Sequence, residues 1–173
     1  LSPTIPPLRL VGANELPTHQ RLPDGASIEE RGRYLREETT REFRNVMGVV
    51  VKRERKATEQ ILVLYGLSGE DFLSASAHEL THDICAETFP QLQDVGVPAW
   101  LEEGVCQYVA AEVCRRLPNA GKVLSRIETS KHPVYGGGYR YVRRRFGERN
   151  WQGLAEWLSS DELYGLPGNP PNQ

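Results

Sequence analysis

The sequence predicts an α+β fold in which a small β-sheet precedes a group of helices. Residues 46–51 are rich in β-branched side chains, and residues 61–65 form a second short apolar run, as is typical of strands. From Ser68 onward, long stretches carry apolar residues at helical spacing and contain no proline in their interiors. Together these patterns suggest a small sheet ahead of the helical segments.

The composition divides the chain into three parts. Residues 1–27 contain five prolines and predict a loose lead-in with one short strand at residues 8–11. Residues 28–160 are expected to form one folded domain. Residues 161–173 end in a stretch rich in Pro, Gly and Asn, which predicts a mobile tail.

The first part of the domain is highly charged. Residues 37–44 predict a helix, residues 46–51 a strand, and residues 61–65 a second strand that ends at Gly66.

The helical part has clear boundaries. Ser68, with Asp71 three positions later, is typical of a helix start, and nothing interrupts that helix before Pro90. A second helix is predicted from about Pro98 to about Arg116.

Three shorter helices complete the predicted fold. They cover residues 122–129, residues 139–146 with Gly147 as the stop, and a last helix that begins at Asn150 and runs through Trp157.

Charge and cysteine content exclude several classes of protein. The formal net charge of −2 gives no basic surface for nucleic acid, and no apolar run is long enough to cross a membrane. The three cysteines form no C-x-x-C pair and do not indicate a disulfide framework. We therefore expect a cytoplasmic monomer that binds neither nucleic acid nor membrane.

The pattern His78-Glu79-Leu80-Thr81-His82 lies in the middle of the first long helix. One helical turn places both imidazoles on one face, where they can bind a single Zn²⁺, and Glu79 lies beside them. In such a site Glu79 would act as general base on a zinc-bound water. The alternative is two ordinary histidines on a polar helix face.

A catalytic zinc site needs a third protein ligand. The best candidate is Glu103, on the second long helix, with Glu102 as the second choice. The string Trp100-Leu101-Glu102-Glu103-Gly104 resembles the third-ligand segment of gluzincin metallopeptidases, and that resemblance favours Glu103. Gly104 is expected to allow close helix packing.

A peptidase also needs a donor for the developing oxyanion. The glycine-rich segment 132–140 offers Tyr139 and Tyr135 as first candidates, with His132 and Arg140 behind them. The alternative is that these tyrosines only pack a turn.

The sequence resembles the DA-one family of plant LIM-domain, ubiquitin-activated peptidases. The resemblance is carried by residues 61–67 (ILVLYGL), 77–82 (AHELTH), 102–107 (EEGVCQ) and 133–140 (PVYGGGYR), and more weakly by residues 31–35 (RGRYL). These blocks occur in the family's order and span about residues 31–147.

This resemblance implies a minigluzincin fold, a zinc metallopeptidase domain and endopeptidase activity on protein or peptide substrates. It also implies that an extended peptide binds along an edge strand, which we expect at residues 46–51. Partners related to ubiquitin are expected from the family, but LIM modules have no counterpart here, so activation by ubiquitin is not carried over. The alternative function is a catalytically silent module that binds peptides or ubiquitin.

Overall fold

The computed structural model of the chain describes residues 5–16, 20–21, 27–28 and 31–171, which form an α+β structure. Its strands are β1 (Leu8–Val11), β2 (Gln20–Arg21), β3 (Ser27–Ile28), β4 (Gly32–Arg44) and β5 (Val50–Leu64). The order β1-β5-β4 forms the main sheet, in which β5 is parallel to β1 and antiparallel to β4. Within the described part of the chain, strands β2 and β3 pair only with each other.

The helices follow the sheet in the chain. They are α1 (Gly69–Thr88), α2 (Ala99–Cys114), α3 (Gly121–Glu128), α4 (Gly138–Phe146) and α5 (Trp151–Leu158). Short 3₁₀ turns lie at Pro90–Gln93 and Asp161–Gly165, and a π-helical turn lies at Pro133–Gly137. Among the described residues, none of the helices has the length and apolarity that a membrane crossing requires.

Both faces of the main sheet are covered by other residues at the C-terminal end of β5. Because side chains alternate along a strand, Ile61 and Val63 of β5 face α1 and pack on Ala75. On the other face, Leu62 packs with Val11 of β1 and Leu16. Strand β1 therefore belongs to the sheet although it lies in the predicted lead-in, whose residues 1–4, 17–19 and 22–26 are outside the described part.

The predicted helix at residues 37–44 is wrong, because these residues continue strand β4. They pair with residues 50–58 of β5 as the outer half of a long hairpin. The predicted strand at residues 46–51 is also wrong in its first part, which is the turn of this hairpin. The Asn45 side chain accepts hydrogen bonds from the backbone N–H groups of Met47 and Val49, each at 3.0 Å, and so closes the turn.

The helical predictions are confirmed, with small changes at the ends. The Ser68 hydroxyl caps α1 by accepting a hydrogen bond from the Asp71 N–H at 3.1 Å. Helix α2 ends at Cys114, two residues before the predicted end. Helices α3, α4 and α5 lie where the sequence predicts them.

Helix α2 lies at the centre of the helical core. Its Leu101 and Tyr108 are fully buried. It approaches α4 so closely that a Cβ on Gly104 would lie 2.6 Å from the carbonyl carbon of Gly138. The close helix contact predicted at Gly104 is confirmed, and its partner is α4.

The C-terminal segment packs on this core at least to Pro170. Leu163 is fully buried, and the Trp100 indole N–H donates a hydrogen bond to the carbonyl oxygen of Pro167 at 2.9 Å. A Cβ on Gly137 would lie 3.1 Å from the Pro170 ring. The segment up to this proline therefore makes core contacts where a mobile tail was expected.

Candidate metal centre

The paired helices α1 and α2 bring the two histidines together with a carboxylate. His78 and His82 lie one turn apart on α1, and their Nε2 atoms are 3.3 Å apart. The Glu103 Oε2 atom, from the beginning of α2, lies 3.2 Å from Nε2 of His78 and 3.6 Å from Nε2 of His82. Three potential metal ligands thus form a nearly equilateral triangle.

The dimensions of this triangle fit a zinc ion. When metal–ligand bonds are about 2.0–2.1 Å long, the ligand atoms of a tetrahedral site lie about 3.3–3.4 Å apart. Oε2 of Glu103 and Nδ1 of His78 are also buried without a hydrogen-bond partner among the described residues. A cation bound between this oxygen and the two ring nitrogens would compensate the buried charge of Glu103.

The electrostatics of the triangle point the same way. Burial raises the pKa of Glu103, but the neighbouring His78 and His82 outweigh it and lower this pKa to about 2. Burial lowers the pKa of His82, but contacts with Glu102 and Glu103 raise it to about 10. The site therefore stabilises positive charge next to its carboxylates.

Glu102 lies behind His82 and outside the triangle. Its Oε1 atom is 2.8 Å from Nδ1 of His82, so the carboxylate fixes the ring with Nε2 pointing toward Glu103. Metal-binding histidines commonly donate their second ring N–H to such a carboxylate. The sequence offered Glu102 as a second-choice ligand, but did not reveal this orienting role.

The predicted base Glu79 is held against strand β4. It is 7% exposed, and its Oε2 accepts a hydrogen bond from the backbone N–H of Tyr34 at 2.7 Å. A Cβ on Gly32 would lie 2.8 Å from Cγ of Glu79, so only glycine allows this approach. The strand beside the site is β4 at residues 32–34, and the expectation that residues 46–51 supply this edge is wrong.

The N-terminal end of strand β4 is connected to the helices by ion pairs. Asp71 in the first turn of α1 forms ion pairs with Arg31, just before β4, and with Arg126 of α3. These contacts connect the beginning of β4 with α1 and α3.

The pKa of Glu79 is raised above its ordinary value. Burial is the largest cause, and it is opposed by the charges of His78 and His82 and by the Tyr34 N–H. A carboxylate with a raised pKa is suited to take up a proton and release it again.

A cleft of about 270 Å³ opens over the triangle. Its lining residues are Gly32, Arg33, Tyr34, His78, Glu79, His82, Glu103 and Tyr135. Tyr135 comes from the π-helical turn, and its ring centroid lies 6.2 Å from that of His78. Of the two tyrosines predicted for catalysis, the structure brings Tyr135 to the site.

The structure places Tyr139 elsewhere. Its hydroxyl accepts a hydrogen bond from Arg115 at 2.8 Å. From Glu103 to Arg115 the chain follows α2 to its end, a rise of about 18 Å. His132 caps the turn by accepting from the Tyr135 N–H at 3.2 Å, and Arg140 donates to the Ser130 carbonyl at 2.6 Å.

Cys106 is a further neighbour of the histidines that the sequence did not single out. One ring nitrogen of each histidine lies within 4.8 Å of its sulfur. Cys106 is fully buried, and burial and the neighbouring Cys85 raise the pKa of its thiol. Oε2 of Glu103 lies 3.2 and 3.6 Å from the two Nε2 atoms, which is close to the ligand spacing of a tetrahedral zinc site, so Glu103 is the better third donor. All three cysteines are free and buried.

Comparisons with known proteins do not identify the site. No protein-family model matches the chain, and neither a curated protein nor a solved structure is significantly similar to it.

Proposed function

We propose that the chain is a zinc-dependent endopeptidase that hydrolyses peptide bonds in protein substrates. The observation that carries this proposal is the triangle of two imidazole nitrogens and one carboxylate oxygen, with Glu79 beside it at the base of an open cleft. Two histidines and a glutamate with an open fourth position are the ligand set of many catalytic zinc sites, whereas structural sites are closed by four protein ligands. This assignment would make the chain a minigluzincin similar to the DA-one peptidases.

In this proposal His78, His82 and Glu103 hold the zinc, and Glu102 keeps the His82 ring in place. Zinc, when bound there, would act as a Lewis acid on the scissile carbonyl and on the attacking water.

The protein's own contribution is proton transfer by Glu79. Its carboxylate accepts the proton of the attacking water and then delivers it to the leaving amine. The Tyr34 N–H and the missing side chain at Gly32 keep the carboxylate at the base of the cleft. The Tyr135 side chain lines the same cleft, so its hydroxyl is the best placed donor for the oxyanion.

The substrate would bind as an extended peptide along strand β4. This strand is at the edge of the main sheet, and its beginning forms one wall of the cleft. Addition of a peptide strand uses main-chain hydrogen bonds and suits unfolded or loop segments of proteins.

The test compares the zinc-loaded chain with Glu79→Gln on denatured casein, with new termini identified by mass spectrometry. We expect the variant to retain zinc and to cleave about 10²–10⁴-fold more slowly, the usual effect of losing a general base. Glu54→Gln, on the exposed hairpin, is the matched control and should cleave like wild type. Equal cleavage by wild type and Glu79→Gln would contradict the proposal. Zinc binding without cleavage by either protein would favour the silent peptide-binding module instead.

A further inference from the structure

A second group of carboxylates lies between strand β5 and the second half of α1. The face of β5 that packs on α1 is apolar at Ile61 and becomes charged at Glu59, which pairs with Arg36 of β4. Opposite Glu59, helix α1 presents Asp83 and Glu87, which are one turn apart.

The three carboxylates lie close together. One oxygen each of Glu59, Asp83 and Glu87 lies within 4.8 Å of the others. Oxygen atoms bound to one Ca²⁺ at about 2.3–2.6 Å are at most about 4.6–5.2 Å apart. The spacing is therefore compatible with three ligands of one calcium ion.

The state of Asp83 is an independent indication of a ligand. Its side chain is 6% exposed, and its Oδ1 atom is buried without a hydrogen-bond partner among the described residues. A buried carboxylate oxygen without a partner is costly unless a cation or a proton compensates it.

The nearby positive charge compensates this cluster only in part. Nη1 of Arg36 lies 3.3 Å from Oε1 of Glu59 and, like Oδ1 of Asp83, is buried without a hydrogen-bond partner among the described residues, whereas Nη2 of the same guanidinium bonds Glu38 at 2.7 Å. The Tyr34 hydroxyl donates to Oε1 of Glu59 at 2.9 Å and adds no charge. One shared guanidinium thus faces three clustered carboxylates.

We propose that Glu59, Asp83 and Glu87 form a second metal site, which binds a hard divalent cation of the Ca²⁺ type. The ligands are oxygen atoms only, which favours calcium over zinc. Glu87 is exposed, so water can complete the coordination shell. The bound ion connects the second half of α1 to β5. It also stabilises the contact with Tyr34, whose other atoms line the zinc cleft.

The competing arrangement is a proton shared between carboxyl groups. Burial is the main cause that raises the pKa of Asp83, followed by the charges of Glu59 and Glu87, while the Tyr34 hydroxyl and the charge of Arg36 oppose the rise. A protonated Asp83 would need no cation.

The experiment titrates CaCl₂ into the full chain, loaded with one equivalent of zinc in chelator-treated buffer, by calorimetry and by thermal unfolding. We expect one calcium per chain with a Kd of about 10⁻⁴–10⁻³ M and a Tm rise of about 3–6 °C at ten times Kd. Asp83→Asn should abolish the binding and Glu87→Gln should weaken it at least ~10-fold. Glu54→Gln, on the exposed hairpin, is the matched control and should bind calcium like wild type.

Absence of heat and of any Tm change up to about 10 mM calcium overturns the proposal. Unchanged calcium binding in both Asp83→Asn and Glu87→Gln also overturns it, because the ion would then bind elsewhere. If Asp83→Asn fails to fold, the exposed Glu87→Gln still decides between these results.

Discussion

The α1–α2 pair and the outer half of the β4–β5 hairpin are stabilised by different interactions. In α2, Leu101 and Tyr108 are fully buried, whereas Val46 and Met47 at the hairpin turn are 103% and 82% exposed. Burial alternates along β4 only in its first residues, and from Glu37 onward every residue of this strand is exposed. The functional side chains therefore lie where packing fixes them, and the outer hairpin is held mainly by backbone pairing.

The ion pairs of the outer hairpin do not change this picture. Glu42 pairs with Arg44 and Arg53, and Lys52 pairs with Glu54, but most of these side chains are widely exposed. Exposed pairs contribute about 0–1 kcal/mol each. Local stability should therefore fall from the base of the hairpin to its turn.

The largest expected difference between the regions is in unfolding free energy. Leu101→Ala removes a buried side chain from α2 and should lower the free energy of unfolding by about 2–5 kcal/mol. Met47→Ala removes a similar volume from an exposed turn and should change it by less than about 0.5 kcal/mol. Urea denaturation of both variants measures the two changes in the free energy of unfolding. Equal losses in both variants would contradict the proposed difference between the two regions.

The second difference separates the two tyrosines within the helical region. Tyr135→Phe should retain zinc and lose turnover by about 100-fold, the scale of one removed oxyanion donor. Tyr139→Phe removes a hydrogen bond to Arg115 and should lower stability by about 1 kcal/mol without changing turnover. Casein cleavage and urea denaturation of both variants distinguish the roles. A larger loss of turnover in Tyr139→Phe would reverse the assignment.

The smallest effect concerns the carboxylate behind the metal site. Glu102→Gln keeps the shape of the side chain but removes the charge next to Nδ1 of His82. Zinc affinity should fall by about 10–100-fold, as is usual for partners of metal-binding histidines. Competition with a chelator of known affinity measures the change. An unchanged zinc Kd would show that the contact does not orient the ring.

The helical half of the fold was predicted well from the sequence. Its helices have capping residues and apolar faces that can be recognised in the sequence, and these faces are buried in the structure. Ser68 and Asn150 cap α1 and α5 by accepting backbone hydrogen bonds. The prediction failed at residues 37–44, since a strand that is exposed on both faces has no alternation to recognise. The charged residues there are compatible with a helix, and only pairing with β5 decides for a strand.

The candidate site was predictable to the extent that local spacing determines it. The helical turn that separates His78 from His82 follows from the sequence, and Glu103 follows from a resemblance to known third-ligand segments. The contact of Glu79 with Gly32 and Tyr34 depends on a long-range approach of β4 to α1, which no local pattern encodes. From the sequence alone, Tyr135 and Tyr139 were equally good candidates for the oxyanion donor. In the structure, Tyr135 lies in the π-helical turn, and of the two tyrosines only Tyr135 lines the cleft.

The most direct test of the account is the zinc content of the purified chain and of two neighbouring variants, measured by inductively coupled plasma mass spectrometry after dialysis without chelators. We expect one zinc per chain in wild type, loss of zinc in Glu103→Ala and a largely retained ion in Glu102→Ala. This expectation would be contradicted by a wild-type protein that binds no zinc, or by a Glu103→Ala variant that keeps the ion while Glu102→Ala loses it.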